Sequence, residues 1–579
     1  MIIKMQISSL KVRKKGIVIL LTLIFSSFLF SCTEKKDGTI LKIGIAEEPR
    51  TLNIWLASDA NSRKVLSLMY QNLYVRDPVS LQLIPWLAES MPLFEPETVS
   101  YIVKLRPAKW SDGSDLTSDD VLFTINLIKK FKIPRLYSKW KFVKKVEALD
   151  SQTIRFYLQK PVAIFVTKSL SVPIVSRSEW ADVAKKSLTH EKPLTALLNH
   201  KIKFPLGCGP FVLKQRREGA YLYFEKNRFF FGENKKIAGH ILGPFVEKII
   251  FKIYSSADVA ILALKKGSLD YHWSDIPPGH INGLKESKHI QVFVSKKSAL
   301  YFMGFNVRHS PFSDTALRKA VAVLIDKEFI ISRILQGYAS DMTSIVPKGN
   351  KFWHNPQLPA YGHGLTKQQR IKKAYAILTE NGYTWKSPPI NEQGETTMPS
   401  LIRLPNGDPM QDFTILTPPA DYDPHRAASG TIIQEWLKDL GLPAHSRPMS
   451  FGALLSQVKQ RREFDTFILG YGKLSLDPDY LRSFFHSKNN KKRGWNMSGY
   501  HNPDFDVAAD ASVAAVNIGE RQKLIRRMQE MVMTDVPYIP LYNPMRIEAI
   551  NMNNVSGWIK MVGGIGNLWS ICMVKPKQI

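Results

Sequence analysis

Cysteine is nearly absent: three in 579 residues, with no CxxC pair. That excludes zinc ribbons, thioredoxin-like redox chemistry and a disulfide-built scaffold. Cys208 and Cys572 stand far apart in sequence, and whether they bridge is left open because sequence does not give their separation. Beyond the first thirty-odd residues, no stretch approaches the roughly 18 uninterrupted apolar residues of a membrane-spanning helix. Missing too are G-x-S-x-G, H-E-x-x-H and a P-loop; His190-Glu191 lacks the second histidine, and GGIGNLW (Gly563 to Trp569) is a glycine turn rather than a dinucleotide fingerprint. The thirteen histidines, His486 and His501 included, do not fall at ligand spacing, so no metal site and no cofactor is expected. Missing motifs weigh only lightly against an enzyme, because triads are assembled in space. Acids are scarce relative to bases, 50 against 80, for a net charge of +30. Such a surplus can attract nucleic acid, anionic lipid or an acidic ligand. No helix-turn-helix, finger spacing or RNP-like motif accompanies it, and the basic residues are scattered in short clusters such as Lys488 to Arg493. Nucleic acid is therefore not an expected partner.

What is present begins with a basic run, Lys11-Val12-Arg13-Lys14-Lys15, followed by the apolar stretch Gly16 to Phe30. A stretch that short suits a secretory h-region better than a mature membrane helix. It ends in Leu29-Phe30-Ser31-Cys32, which resembles a bacterial lipobox, with Phe30 bulkier than usual. Residues 1–31 are expected to be a signal peptide, Cys32 the lipidated N-terminus, and residues 32–40 a polar tether; an uncleaved signal anchor is the alternative. The whole chain is 44% apolar and 22% charged, a globular composition with room for several cores.

The stretch WSDGSDLTSDDVLF, Trp110 to Phe123, carries four aspartates, Asp112, Asp115, Asp119 and Asp120. A calcium loop would need D-x-[DN]-x-[DN]-G and a distal glutamate, and that pattern is missing. Upstream, Val99, Tyr101, Val103 and Leu105 alternate as in a half-buried strand; downstream, Val121, Leu122, Ile125 and Ile128 recur at helical spacing. The aspartates thus read as turn and cap, with Thr117 at the N-cap and Asp120 reaching back. Elsewhere strands and helices alternate: a hairpin turning near Gly219, a helix capped by Ser313 or Asp314, an amphipathic helix stopped at Asn381-Gly382, and irregular chain over residues 181–206. The fold class is α/β, with mixed sheets and long loops.

Seven blocks in order resemble one family. EEPRTLNIW, YIVKLRPAKWSDGSDLTSDDVLFTI, GCGPFVL (Cys208 where threonine is usual), GFNVRHSPFSDTALRKAVAVLIDKEFI, EFDTFILGYGKLSLDPDYL, GYHNPDFD and RRMQEMVMTDVPYIPLY are similar to the landmarks of the oligopeptide/dipeptide/nickel class of extracellular solute-binding proteins that serve ABC importers. The resemblance implies a periplasmic-binding-protein-like fold (class II, cluster C type): two α/β lobes around a ligand cleft, plus an inserted lobe. It implies lobe I from residues 41–84, 203–304 and 537–579, lobe II from 85–202 and lobe III from 305–536. It further implies a non-catalytic, monomeric receptor for a peptide or similar small solute. Its partners would be ABC permease and ATPase subunits and, through the anchor, a lipid bilayer facing the periplasm or cell surface.

In peptide-binding members an acid four residues after the glycine of a Gly-Trp pair holds the ligand's terminal ammonium. Here Gly470 and Tyr471 occupy the pair and Leu474 the acid's place, so the ammonium would lack its partner, at a cost of several kcal/mol if buried. Two ligand expectations follow: a peptide gripped differently, or a ligand without a free ammonium and anionic in keeping with the basic excess. A metal chelate or a sugar as the solute, and extracytoplasmic hydrolysis in place of transport, stay open as well. The residues expected at the ligand are Gly470, Tyr471, Gly472, Leu474, Asp477 and Trp495, faced by Asp59 and Asn61.

Overall fold

A computed structural model describes residues 39–577, so the signal-peptide and Cys32 expectations lie outside the described residues. Twelve strands share one sheet. From one edge ten of them run Ala444–Pro448, Phe413–Thr417, Thr466–Tyr471, Leu300–Phe305, Tyr538–Asn551, Tyr271–His272, Ile40–Ile45, Lys248–Ile253, Tyr221–Lys226 and Phe211–Arg217, while Ile290–Lys296 and Ala339–Asp341 pair with Tyr538–Asn551 off this path. The first four strands form one side of the sheet and the last five the other, and the fourteen-residue strand Tyr538–Asn551 runs between them.

That strand joins the two sides of the sheet, the position a hinge would occupy. Its first half pairs Leu300–Phe305, from Tyr538↔Gly304 to Tyr542↔Tyr301, while its second half pairs Ile290–Lys296, from Met545↔Lys296 to Asn551↔Ile290. Between the two ladders stand Asn543 and Pro544, which are in register instead with Ser340 and Ala339 of the short strand Ala339–Asp341. The facing crossover, residues 297–299, is held by two bonds. Asn543 Nδ2 donates to the Lys297 carbonyl at 2.7 Å, and the Leu474 backbone N–H donates to the Ser298 carbonyl at 2.6 Å.

Lobe III packs helices on both faces of its sheet. Ile415 and Ile468 enter one core; Leu416, Phe467 and Leu469 enter the other. Both faces being covered explains the unbroken apolar run TFILG in Thr466–Tyr471. Lobe II is a four-stranded antiparallel sheet, Leu93–Glu95, Ser100–Lys104, Thr153–Leu158 and Val143–Ala148, covered by the helix Ser118–Phe131. The four aspartates serve as punctuation. The Ser114 N–H donates to Asp112 at 2.9 Å, Lys109 pairs with Asp115 at 2.7 Å, and Asp120 accepts from the N–H groups of Thr117 (3.0 Å) and Arg177 (2.8 Å). Asp314 caps Thr315–Leu324.

Residues 181–206 depart from the expected irregular chain. Helices Arg177–Leu188 and Pro193–Asn199 occupy them, with Pro193 at the first helical turn, where its missing N–H costs nothing. Cys208 and Cys572 are each buried and unbridged. Among the described residues no helix is long and apolar enough to cross a membrane.

Candidate functional site

The C-terminal ends of the parallel strands in both lobes point toward the hinge, and loops leaving them build the walls of a cleft. From lobe I come the segment after Ile40–Ile45 and the helix Ala60–Leu66; from lobe III comes the segment after Thr466–Tyr471. A chamber of about 610 Å³ lies between them. Arg63, Tyr70, Asn72 and Arg76 line it from lobe I, Thr167 and Ser171 from lobe II, Lys473, Ser475 and Leu476 from lobe III, and Asn567 and Trp569 from the chain's last segment. A second chamber of about 270 Å³ shares Arg76, Leu83 and Thr167 with the first and adds the apolar walls Phe94, Phe352 and Trp353. A third, of about 320 Å³, lies against the hinge and is lined by Lys297, Tyr301, Tyr542, Pro544, Asp423 and Gly472. Mostly apolar walls with a few polar groups are what small-ligand sites require.

The charge of the first two chambers is one-sided. Arg63, Arg76, Lys473 and Arg521 line them, and no aspartate or glutamate does among the described residues. Lys473 has a pKa below its ordinary value, because protein mass displaces water around it and because Arg63 and Arg546 lie close. Behind them Lys64 is pushed down to about 8 by burial and by Arg546, and its ammonium donates to the Trp273 carbonyl at 2.5 Å. The nearby acids are already matched. Asp477 meets Arg521 in a bidentate pair of 2.7 and 2.8 Å, both side chains 1% exposed. Burial alone would raise Asp477, but Arg521's hydrogen bonds and charge outweigh it and hold the carboxyl well below the usual range. Asp479 binds Lys168 at 2.5 Å and Arg482 at 3.3 Å; Asp275 binds Lys297 at 2.8 Å and Arg546 at 3.4 Å.

The residues singled out in sequence fall around the chambers rather than inside them. Asp59 caps Ala60–Leu66 through the Ser62 N–H at 2.8 Å, and Asn61 donates to the Glu47 carbonyl at 2.9 Å. Both anchor the helix that presents Arg63, and neither lines a chamber. A Cβ on Gly470 would meet the Tyr301 ring at 2.5 Å, so glycine there allows the strands to touch. Tyr471 is sandwiched between Phe302 and Phe484, with ring centroids at 5.8 and 4.7 Å, a packing position rather than a free wall. Gly472 reaches the hinge chamber. Leu474 is 6% exposed, its side chain in the lobe III core, whereas Lys473 and Ser475 on either side face the first chamber. Asp477 is closed off by Arg521, and Trp495, 49% exposed, carries the Lys459 ammonium 3.7 Å above its ring. The expected segment thus borders the chambers, with alternate residues turned toward the core. Sequence reasoning misses Arg63, Arg76 and Lys473, and only the surplus of positive charge hints at them.

Residues 82–493, more than half the chain, match the family model described as bacterial extracellular solute-binding proteins, family 5, middle region. The oligopeptide-binding protein AppA of Bacillus subtilis (strain 168) is 24% identical over 535 residues, covering 90% of this chain and 89% of AppA. Among solved structures, AppA in complex with a nonapeptide aligns at 23% identity, with a TM-score of 0.63 over 93% of this chain and 99% of that one. HbpA2 from Haemophilus parasuis aligns at 22% identity, with a TM-score of 0.73 over 93% and 100%. A hinged pair of α/β lobes with an inserted third, a cleft at their junction and this match leave one assignment: the chain belongs to the bacterial extracellular solute-binding proteins, family 5.

Proposed function

We propose that the chain is the cargo receptor of an ABC importer, capturing peptides between its lobes and delivering them chemically unchanged to a membrane permease driven by separate ATPase subunits. One observation carries this reading: a chamber of about 610 Å³ whose walls come from both hinged lobes, so that anything bound there touches both and favours the closed form. The name and nonapeptide complex of AppA support peptides as the cargo class. In this reading lobe I comprises residues 41–84, 203–304 and 537–579, lobe II 85–202 and lobe III 305–536. Asp59 and Asn61 hold the Arg63 helix, while Gly470, Tyr471 and Leu474 fix the segment that presents Lys473 and Ser475. The protein works as a monomer without catalysis, exported by residues 1–31 and tethered through lipid on Cys32.

Mass spectrometry of material released by denaturing the purified protein tests the class, with intact short peptides expected. Small-angle scattering tests closure: the particle should contract when cargo is added, and curves unchanged by every candidate solute would refute the receptor. Turnover of a peptide library would point to hydrolysis instead. For the anchor, Cys32→Ser should abolish metabolic labelling with a fatty acid and release the protein from membranes.

A further inference from the structure

The first two chambers have a surplus of one charge and no carboxylate among the described residues to hold the other. Arg63 from lobe I and Lys473 from lobe III face the same chamber, and neither side chain has a hydrogen-bond or carboxylate partner among the described residues. The acids nearby are spent: Asp477 on Arg521, Asp479 on Lys168 and Arg482, Asp275 on Lys297 and Arg546. A terminal ammonium entering this chamber would meet only cations. Nor can the position four after Gly470 be recruited, since the Leu474 side chain lies in the core and its N–H is tied to the Ser298 carbonyl at the hinge.

The two unpaired cations also sit on opposite sides of the closing gap. Both face the same chamber as like charges, so without cargo they repel, and repulsion across the gap favours the open form. An anion between them reverses the sign, turning the same two side chains from a spring into a latch. A neutral or cationic cargo leaves that repulsion in place and has to close the lobes through its other contacts alone.

Resting on the peptide-receptor reading, we propose that this cleft selects cargo with an anionic group and no free α-ammonium, an N-blocked acidic peptide, and that the anion seats between Arg63 and Lys473 to draw the lobes together. The test is calorimetry on ligand-stripped, refolded protein with matched peptides at several lengths, each amidated at its C-terminus, carrying Glu or Gln at one position and having a free or acetylated N-terminus. The acetylated Glu form should bind tightest, by about tenfold or more over its Gln twin, the ratio that one relieved charge interaction of ~1.4 kcal/mol gives. Equal binding by any of the other forms overturns the proposal and leaves the peptide receptor standing; binding by none at any length overturns both. A non-peptide anion released from the native protein would overturn the peptide half alone. Arg63→Met and Lys473→Met, both at exposed positions, should leave the melting temperature unchanged while the Glu/Gln ratio falls toward one. A ratio that persists in both variants refutes the latch.

Discussion

Replacing Arg521 with methionine discriminates between two roles for Asp477. The Arg521 guanidinium makes two bonds to the Asp477 carboxylate at 2.7 and 2.8 Å, donates a third to the Ser512 carbonyl at 3.0 Å and lies 5.0 Å from the Trp353 ring. Both charges are 1% exposed, so removing one strands the other out of water. Breaking a buried pair this way costs about 3–5 kcal/mol, or a melting shift on the order of 10 °C for a unit the size of a lobe. The pH dependence has a definite sign. In the native pair the Asp477 pKa is depressed, so its contribution is present above the unfolded value of about 3.9 and is lost as pH falls toward the folded one. In Arg521→Met burial raises the same pKa, so the variant loses stability as pH rises. The gap between the two proteins should therefore widen from pH 4 to pH 7, as read by calorimetry or denaturant titration. Replacing both residues with apolar ones should recover much of the loss. Were Asp477 instead a receptor for a ligand's ammonium, Arg521→Met would leave stability within about 1 kcal/mol of the parent and change only the affinity for cargo; that result would refute the assignment.

Leu474→Asp should not restore an ammonium site: at a position 6% exposed within the lobe III core, the carboxylate would cost about 3 kcal/mol or more, read as a fall in denaturation midpoint. Gly470→Ala places a methyl 2.5 Å from the Tyr301 ring, which stacks on Tyr542 at 5.0 Å, and overpacking there should cost about 1–3 kcal/mol. Glu179 is raised to about 7 by burial, outweighing its bonds from the Leu206 N–H (2.7 Å) and the Tyr70 hydroxyl (3.3 Å). Because the native state then binds more protons than the unfolded chain between pH 4.5 and 7, stability should fall by up to about 3 kcal/mol as pH rises through that window. Glu179→Gln should flatten the slope.

The strand–turn–helix around Asp112 to Asp120 is legible because its signals are local: alternation, a turn and a cap within a few residues. The alternating α/β order is legible for the same reason. Residues 181–206 mislead because Pro193 reads as a breaker, although a first-turn proline starts a helix as readily as it ends one. The hinge is hidden, since nothing in YIPLYNPMRIEAIN tells that its two halves pair strands of different lobes. The site is half visible. Family spacing leads to the segment after Gly470, but which of Lys473, Leu474 and Ser475 faces the chamber depends on an extended backbone tied to Ser298 from afar. Arg63 and Arg76 look like any solvated base until the fold sets them opposite Lys473.

The strand common to both lobes has a consequence for biosynthesis. It sits at the middle of the large sheet, yet ribosomes reach Asn551 only after every other strand of that sheet has been made. Until then each half lacks the neighbour against which its own edge must close, and the nascent polypeptide stays loose. A late keystone of this kind means that the large sheet closes only once the chain is complete to Asn551.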